Sequence, residues 1–237
     1  MIRWLYDFGL SPEENVHKDF SLFESFDGLD VPFLVRVHTF SHYCATLGYL
    51  SPLNDFTLPL STNEGISLLR RVSGGSIAFH GEDLCLSFFL RTKVSPVCVY
   101  HSCVTKIRSI ITTVIEKGSG ISLSEGKPAD HSNARGGYCI ESGDKFDVFL
   151  EGIKFAGFAG RVRRNRLLIH LQINSSGWKP AVLNHLLERG HTVPDGHSTV
   201  KKFVFSESFL ENIKDEIQRE FSAFLFQEGS YSECLTG

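Results

Sequence analysis

The sequence predicts a single α+β domain, on three observations. Its 237 residues are 42% hydrophobic, enough to enclose one large core, and no linker divides them. Short apolar blocks of strand length recur along the chain. Between them lie stretches whose apolar residues repeat at helical spacing.

In chain order, Ser11-Pro12-Glu13-Glu14 is a helix start, with an N-cap serine, proline at the first helical position and glutamate at the third; the helix is expected to run to about Phe26. Phe33, Val35 and Val37 alternate with Leu34, Arg36 and His38 as a strand, and the blocks Ile77 to Phe79 and Leu84 to Leu90 read as buried strands. From Val104, residues Ile107, Ile110, Ile111, Val114 and Ile115 form one helical stripe that stops before Gly118. Residues 118 to 137 are crowded with glycine and polar residues and predict a long loop. Asp147 to Gly160 alternates around Glu151-Gly152 as a hairpin that delivers Lys154 onto its returning strand. Leu167 to Ile173 reads as a strand and Pro180 to Arg189, closed by Gly190, as a helix. Ser208-Phe209-Leu210-Glu211 reads as a capping box, opening a helix with a stripe of Phe209, Ile213, Ile217, Phe221 and Phe224 that is expected to pack into the core.

A formal charge of −3 and a pI near 6.4 argue against a general nucleic-acid binder, which needs a basic excess to meet phosphates. The cysteines Cys44, Cys85, Cys98, Cys103, Cys139 and Cys234 show no paired C-x-x-C spacing, so reduced thiols and no zinc site are expected. No apolar run reaches the roughly 18 residues that span a bilayer. A soluble, cytoplasmic monomer is expected, without nucleic-acid or membrane partners.

Two segments carry chemistry. In Arg70-Arg71-Val72-Ser73-Gly74-Gly75-Ser76-Ile77-Ala78-Phe79-His80, the paired glycines lack Cβ atoms and let backbone N–H groups approach a carboxylate or phosphate. Arg70 and Arg71 are candidates for the matching charge, and Ser73 for a further hydrogen bond. The second segment is the Lys154 hairpin. There an ammonium beside an acyl carbonyl would stabilise developing negative charge.

Together they resemble the lipoate-protein ligase A and biotin ligase superfamily, in which an RRxSGGG-type loop ending in His precedes a D-x-x-x-x-G-x-K-x-x-G-x-A hairpin. Trp4 to Gly9, Glu14-Asn15, Pro32 to Arg36 and Thr46 to Tyr49 look like the family's opening helix and first strands. The resemblance covers roughly residues 1–190 of a domain taken as 1–237, without a full C-terminal accessory domain. It implies a mixed β-sheet core flanked by helices. It also implies activation of lipoate by ATP and Mg2+ to lipoyl-AMP, followed by transfer to a lysine of a carrier. Such carriers are the lipoyl domains of 2-oxoacid dehydrogenase acyltransferase subunits and the glycine cleavage H protein. Lys154 matches the family lysine, and as a pocket lysine it is expected to contribute little to stability. Asp147 matches the motif's acidic residue, within reach of adenosine, ribose or magnesium-bound phosphate, while Ser76, His80 and Gly157 fall among the substrate-binding positions.

Ser76 stands where a third glycine is usual, and Phe158 and Gly160 replace the family's more frequent residues. Cys139, in Tyr138-Cys139-Ile140, resembles the segment that supplies the nucleophile in cysteine-type octanoyltransferases and lipoyl amidotransferases, which need no ATP. A third reading is a decayed paralogue that binds acyl groups or carriers. Arg161, Arg163, Arg164 and Arg166 read as a solvated face that can also steer an acidic carrier.

Overall fold

The computed structural model describes residues 2–52, 67–92, 96–119, 123–125, 146–150, 153–174 and 205–226. Its strands are β1 (Ile2–Leu10), β2 (Phe33–Phe40), β3 (Cys44–Leu47), β4 (Ser67–Arg70), β5 (Ile77–His80), β6 (Asp83–Arg91), β7 (Ser124–Glu125), β8 (Val148–Leu150), β9 (Ile153–Arg163) and β10 (Arg166–Asn174). The helices are α1 (Pro12–Ser25), α2 (Pro96–Ser119) and α3 (Glu207–Phe226), with a 3-10 turn at Phe26–Gly28.

Among the described residues, seven strands form one sheet in the order β1-β2-β6-β10-β9-β8-β7, and β4-β3-β5 form a second. Both are mixed: β1 runs parallel to β2 and β3 parallel to β4, and the other pairings are antiparallel. A parallel pair needs a crossover. Helix α1 lies in the crossover from β1 to β2, started by the expected capping box between Ser11 and Glu14.

One face of the large sheet packs on α2 and α3: Phe33, Val35 and Val37 of β2 and Leu84, Leu86 and Phe88 of β6 meet Val104, Ile107, Ile213 and Ile217. The other face buries Leu34, Phe89 and Leu168 against Phe23, Phe26 and Val72. That double cover makes β2 and β6 buried on nearly every residue rather than on alternate ones. The alternation Phe33-Val35-Val37 nonetheless marks the helix face.

Two helix starts differ from the sequence expectation. Helix α2 begins at Pro96, a proline-tolerant first turn, and Val99 and Cys103 extend the stripe upstream; Gly118 lies inside the helix. Helix α3 is capped two residues earlier than expected, because the Ser206 hydroxyl accepts from the Phe209 N–H (3.1 Å), so Ser208 sits within the helix. The expected helix over 180–189, Cys139 and most of the 118–137 loop lie outside the described residues. Among the described residues, no helix is long and apolar enough to cross a membrane.

Candidate active site

A cavity opens between the polar face of the large sheet, α1 and the small sheet. Lys154, His170, Gln172, Asp19, His38 and Arg71 lie in its wall beside Val16, Ile77, Phe79 and Leu86. Its wall is thus apolar, with a few converging polar groups.

Strict alternation along β9 would place Lys154 with Ala156, facing the helices. A bulge prevents this. The register passes from Val148↔Ala156 to Phe149↔Lys154, leaving one extra residue on β9, and Phe155 and Ala156 both enter the helix-side core. The parity flips, and Lys154 joins Gly157 on the cavity side. A Cβ on Gly157 would lie 2.6 Å from Lys154 Cε and 3.1 Å from Nζ, so the missing side chain is the space that the lysine occupies. Lys154 is 8% exposed, and its Nζ lies 2.6 Å from Oδ2 of Asp147, which is fully buried.

The glycine loop meets the same wall. Gly74 N–H donates to Gly160 O (2.9 Å), and Gly75 takes φ +85°, which favours glycine. Its carbonyl leaves no room for a side chain on Gly48, whose Cβ would fall 1.7 Å from Gly75 O. Arg71 is buried and braces the loop, donating to Thr46 O (2.8 Å), Gly74 O (2.6 Å) and Ser73 Oγ (3.2 Å). Arg70 Nη1 donates to the carbonyls of Gly48, Tyr49 and Ser51. Both arginines therefore hold loop backbone. Ser76 accepts the Gly48 N–H at its carbonyl (3.1 Å), and His80 Nε2 meets Thr46 Oγ1 at 2.9 Å.

Beneath the cavity lies a polar layer that sequence reasoning missed. Ser73 Oγ is 2.8 Å from His170 Nδ1, and His170 Nε2 is 3.1 Å from Asp19 Oδ2. Ser87 Oγ also donates to Asp19 Oδ2 (3.0 Å), and Arg36, wholly buried, donates to Asp19 Oδ1 (2.8 Å), Asp7 Oδ2 (2.7 Å) and Asn15 Oδ1 (2.6 Å). The signal was present: Arg36, His38 and His170 are polar residues inside otherwise apolar strands, where a charge needs a partner. Burial raises the Asp19 carboxyl, but His170, His38 and Arg36 outweigh it and hold it well below the usual carboxylate range. Burial, helped by Arg36, pushes His38 down to about 3 against the pull of Asp19.

These shifts set a pH dependence. The unfolded chain binds a proton at His38 near pH 6.5 and the folded one only near 3, so stability is full above 6.5 and falls as the pH drops toward 3. Asp19 adds a loss in the same direction at the acid end. Urea midpoints measured across this range are expected to follow that course, and His38→Gln to flatten it. An unchanged slope in that variant would remove His38 as the cause.

Of the four arginines after the hairpin, Arg163 and Arg164 are exposed, as a solvated face requires, whereas Arg161 and Arg166 are held against the fold. Arg166 is buried, donating to Phe23 O and Glu24 O (both 2.7 Å), Arg163 pairs with Glu24 (2.5 Å), and Arg161 donates to Val72 O (3.1 Å) and stacks 3.6 Å from the Tyr49 ring centroid. Arg164 occupies the β9–β10 turn at φ +56°. Arg161, Arg163 and Arg166 tie the β9–β10 end to the loop and to α1.

A model of the lipoyl protein ligase A/B catalytic domain matches residues 11–228. Octanoyltransferase LipM of Brevibacillus brevis is 24% identical over 178 residues, 71% of this chain, and the match spans 63% of that relative. Among solved structures, a T. acidophilum protein under the name lipoate protein ligase, with bound lipoic acid, has TM-score 0.70 at 17% identity over 93% of this chain and 86% of its own. A lipoate-protein ligase A bound with ATP has TM-score 0.66 at 20% identity over 95% and 85%. A bipartite lipoate protein ligase of Thermoplasma acidophilum, studied with its E2 lipoyl domain, has TM-score 0.62 at 14% identity over 93% and 84%. At these identities the structures establish the shared α+β fold.

Proposed function

Because the chain belongs to the lipoyl protein ligase A/B catalytic domain family, we propose that it activates lipoate with ATP and passes the lipoyl group to a lysine of a lipoyl carrier domain. The observation that carries this reading is Lys154, turned by the β9 bulge into the cavity wall beside Gly157. In the first step a lipoate carboxylate oxygen attacks the α-phosphorus of ATP, and pyrophosphate leaves. In the second the carrier amine attacks the acyl carbonyl of lipoyl-AMP, and AMP leaves with its bonding pair. Both steps gather negative charge near the acyl carbonyl, where the Lys154 ammonium is worth most in a low-dielectric wall. The Ser73-Gly74-Gly75 loop, fixed by Arg71, would hold the acyl carboxyl end. Asp147 does not fit as a magnesium ligand, since it is fully buried against Lys154; its role is to place the ammonium.

The named octanoyltransferase relative favours a second reading. There Cys139 takes an octanoyl or lipoyl group from a carrier thioester without ATP, and the target lysine then receives it. The experiment weighs an apo lipoyl domain or H protein after incubation with lipoate, magnesium and ATP, and in parallel with octanoyl carrier alone. The ligase predicts a mass gain that needs ATP, appears in step with pyrophosphate and survives Cys139→Ser. A gain without ATP, with an adduct on Cys139, assigns the transferase, and no gain from either donor overturns both.

A further inference from the structure

The cavity floor holds a cluster to which neither of the two transfer steps above assigns a part. His80 ends β5, and Asp83 and Cys85 stand two residues apart on one face of β6, so the turn between the strands brings three different donor atoms together. His80 Nδ1 is 2.7 Å from Asp83 Oδ2, Cys85 Sγ is 3.2 Å from the same oxygen, and Sγ is 3.8 Å from Nδ1. All three side chains are buried. We propose that His80, Asp83 and Cys85 form a three-ligand site for a divalent transition metal of the zinc type.

Three features support it. Zinc held at the usual bond lengths to nitrogen, oxygen and sulfur needs ligand atoms about 3.3–3.6 Å apart in a tetrahedron. The two Cys85 edges, at 3.2 and 3.8 Å, lie within a few tenths of an ångström of that range, and the His80–Asp83 edge, at 2.7 Å, has to open by about 0.6 Å through side-chain rotation. The outer atoms are also braced. His80 Nε2 meets Thr46 Oγ1 (2.9 Å), Asp83 Oδ1 accepts the Gly81 N–H (2.7 Å), and the His80 ring stacks on Phe40 with centroids 4.3 Å apart. That is how ligating imidazoles and carboxylates are held in known metal sites.

The third feature is charge. Asp83 is buried, and among the described residues its ion-pair partner is an imidazole rather than a lysine or arginine. With neutral His80, a Cys85 thiolate and the Asp83 carboxylate, a dication makes the cluster neutral, and the protons it displaces are those now shared between the groups. The chain lacks the paired C-x-x-C spacing by which zinc sites are read from sequence. Its H-x-x-D-x-C spacing becomes a site only through the β5–β6 turn. The fourth position would face the cavity, whose wall includes His80, Cys85 and Gln172.

The test uses the full chain, reduced and stripped with a chelator, then mixed with zinc alone and desalted before elemental analysis. About one zinc per chain is expected, lost in Cys85→Ala and kept in a Cys98→Ser, Cys139→Ser, Cys234→Ser triple variant. If Cys85→Ala fails to fold, cobalt added to the unaltered chain decides instead, since a thiolate ligand gives a near-ultraviolet sulfur-to-cobalt charge-transfer band that zinc then abolishes. No retained zinc with no such band, or zinc kept by folded Cys85→Ala, overturns the site. Neither readout depends on acyl transfer.

Discussion

Lys154→Ala is expected to abolish acyl transfer and to destabilise the fold together. Sequence reasoning expected only the first effect, because a pocket lysine is ordinarily solvated. Here the ammonium lies 2.6 Å from the fully buried Asp147, so its removal leaves a carboxylate inside the protein. Breaking a buried pair from one side costs on the order of 3 kcal/mol. The double variant Lys154→Ala, Asp147→Asn removes both charges and is expected to recover most of the stability and none of the activity. Denaturant unfolding beside the carrier mass assay checks both. Full activity in Lys154→Ala would take the lysine out of the chemistry, and an unaltered unfolding midpoint would show that the pair contributes little.

Gly157→Ala separates position from charge. The added methyl meets Lys154 Cε at 2.6 Å and Nζ at 3.1 Å, so the ammonium must shift beside Asp147 without losing its charge. Misplacing a catalytic group by about 1 Å can cost about a hundredfold in rate. A fall in kcat of about that size is expected, with a smaller loss of stability than in Lys154→Ala, because both charges of the pair remain. A normal rate would mean that the lysine adapts within the cavity, and the bulge geometry would then not be what sets its reach.

What was legible in the sequence followed from local rules. The Ser11 capping box, the alternation Phe33-Val35-Val37 and the Ile107 to Ile115 stripe each depend on neighbours within a turn or a strand, and each reappears in the structure. The glycine loop and the Lys154 hairpin were also readable, being contiguous motifs. The β9 bulge was not, because it is a shift in the register between β8 and β9 and belongs to the pairing, not to either strand alone. Nor was the layer of Asp19, Arg36 and His170, whose members come from α1, β2 and β10 and meet only once the sheet has formed. The Arg161 to Arg166 run was legible only in part, for a related reason: Arg163 and Arg164 are exposed as expected, and Arg161 and Arg166 are not. The partners of Arg161 and Arg166, Val72 and Phe23, lie far away in the chain, so two members of a run that looked solvated are tied down by residues that no local pattern includes.

The sheet order has a consequence for how the cavity comes into being. The central pairing joins β6 to β10, with Leu86 opposite Leu171, across a long stretch of chain, whereas β1, α1 and β2 form a nearly local unit. Closing a long loop precedes any reward from the contacts that it makes, so pairings of high sequence separation form slowly. His170 and Gln172 reach the cavity only through that pairing, and β9 with Lys154 is carried in beside them. The cavity wall thus depends on the strand pairing that closes the longest loop of the large sheet, and a ligand that occupies the wall holds that pairing shut.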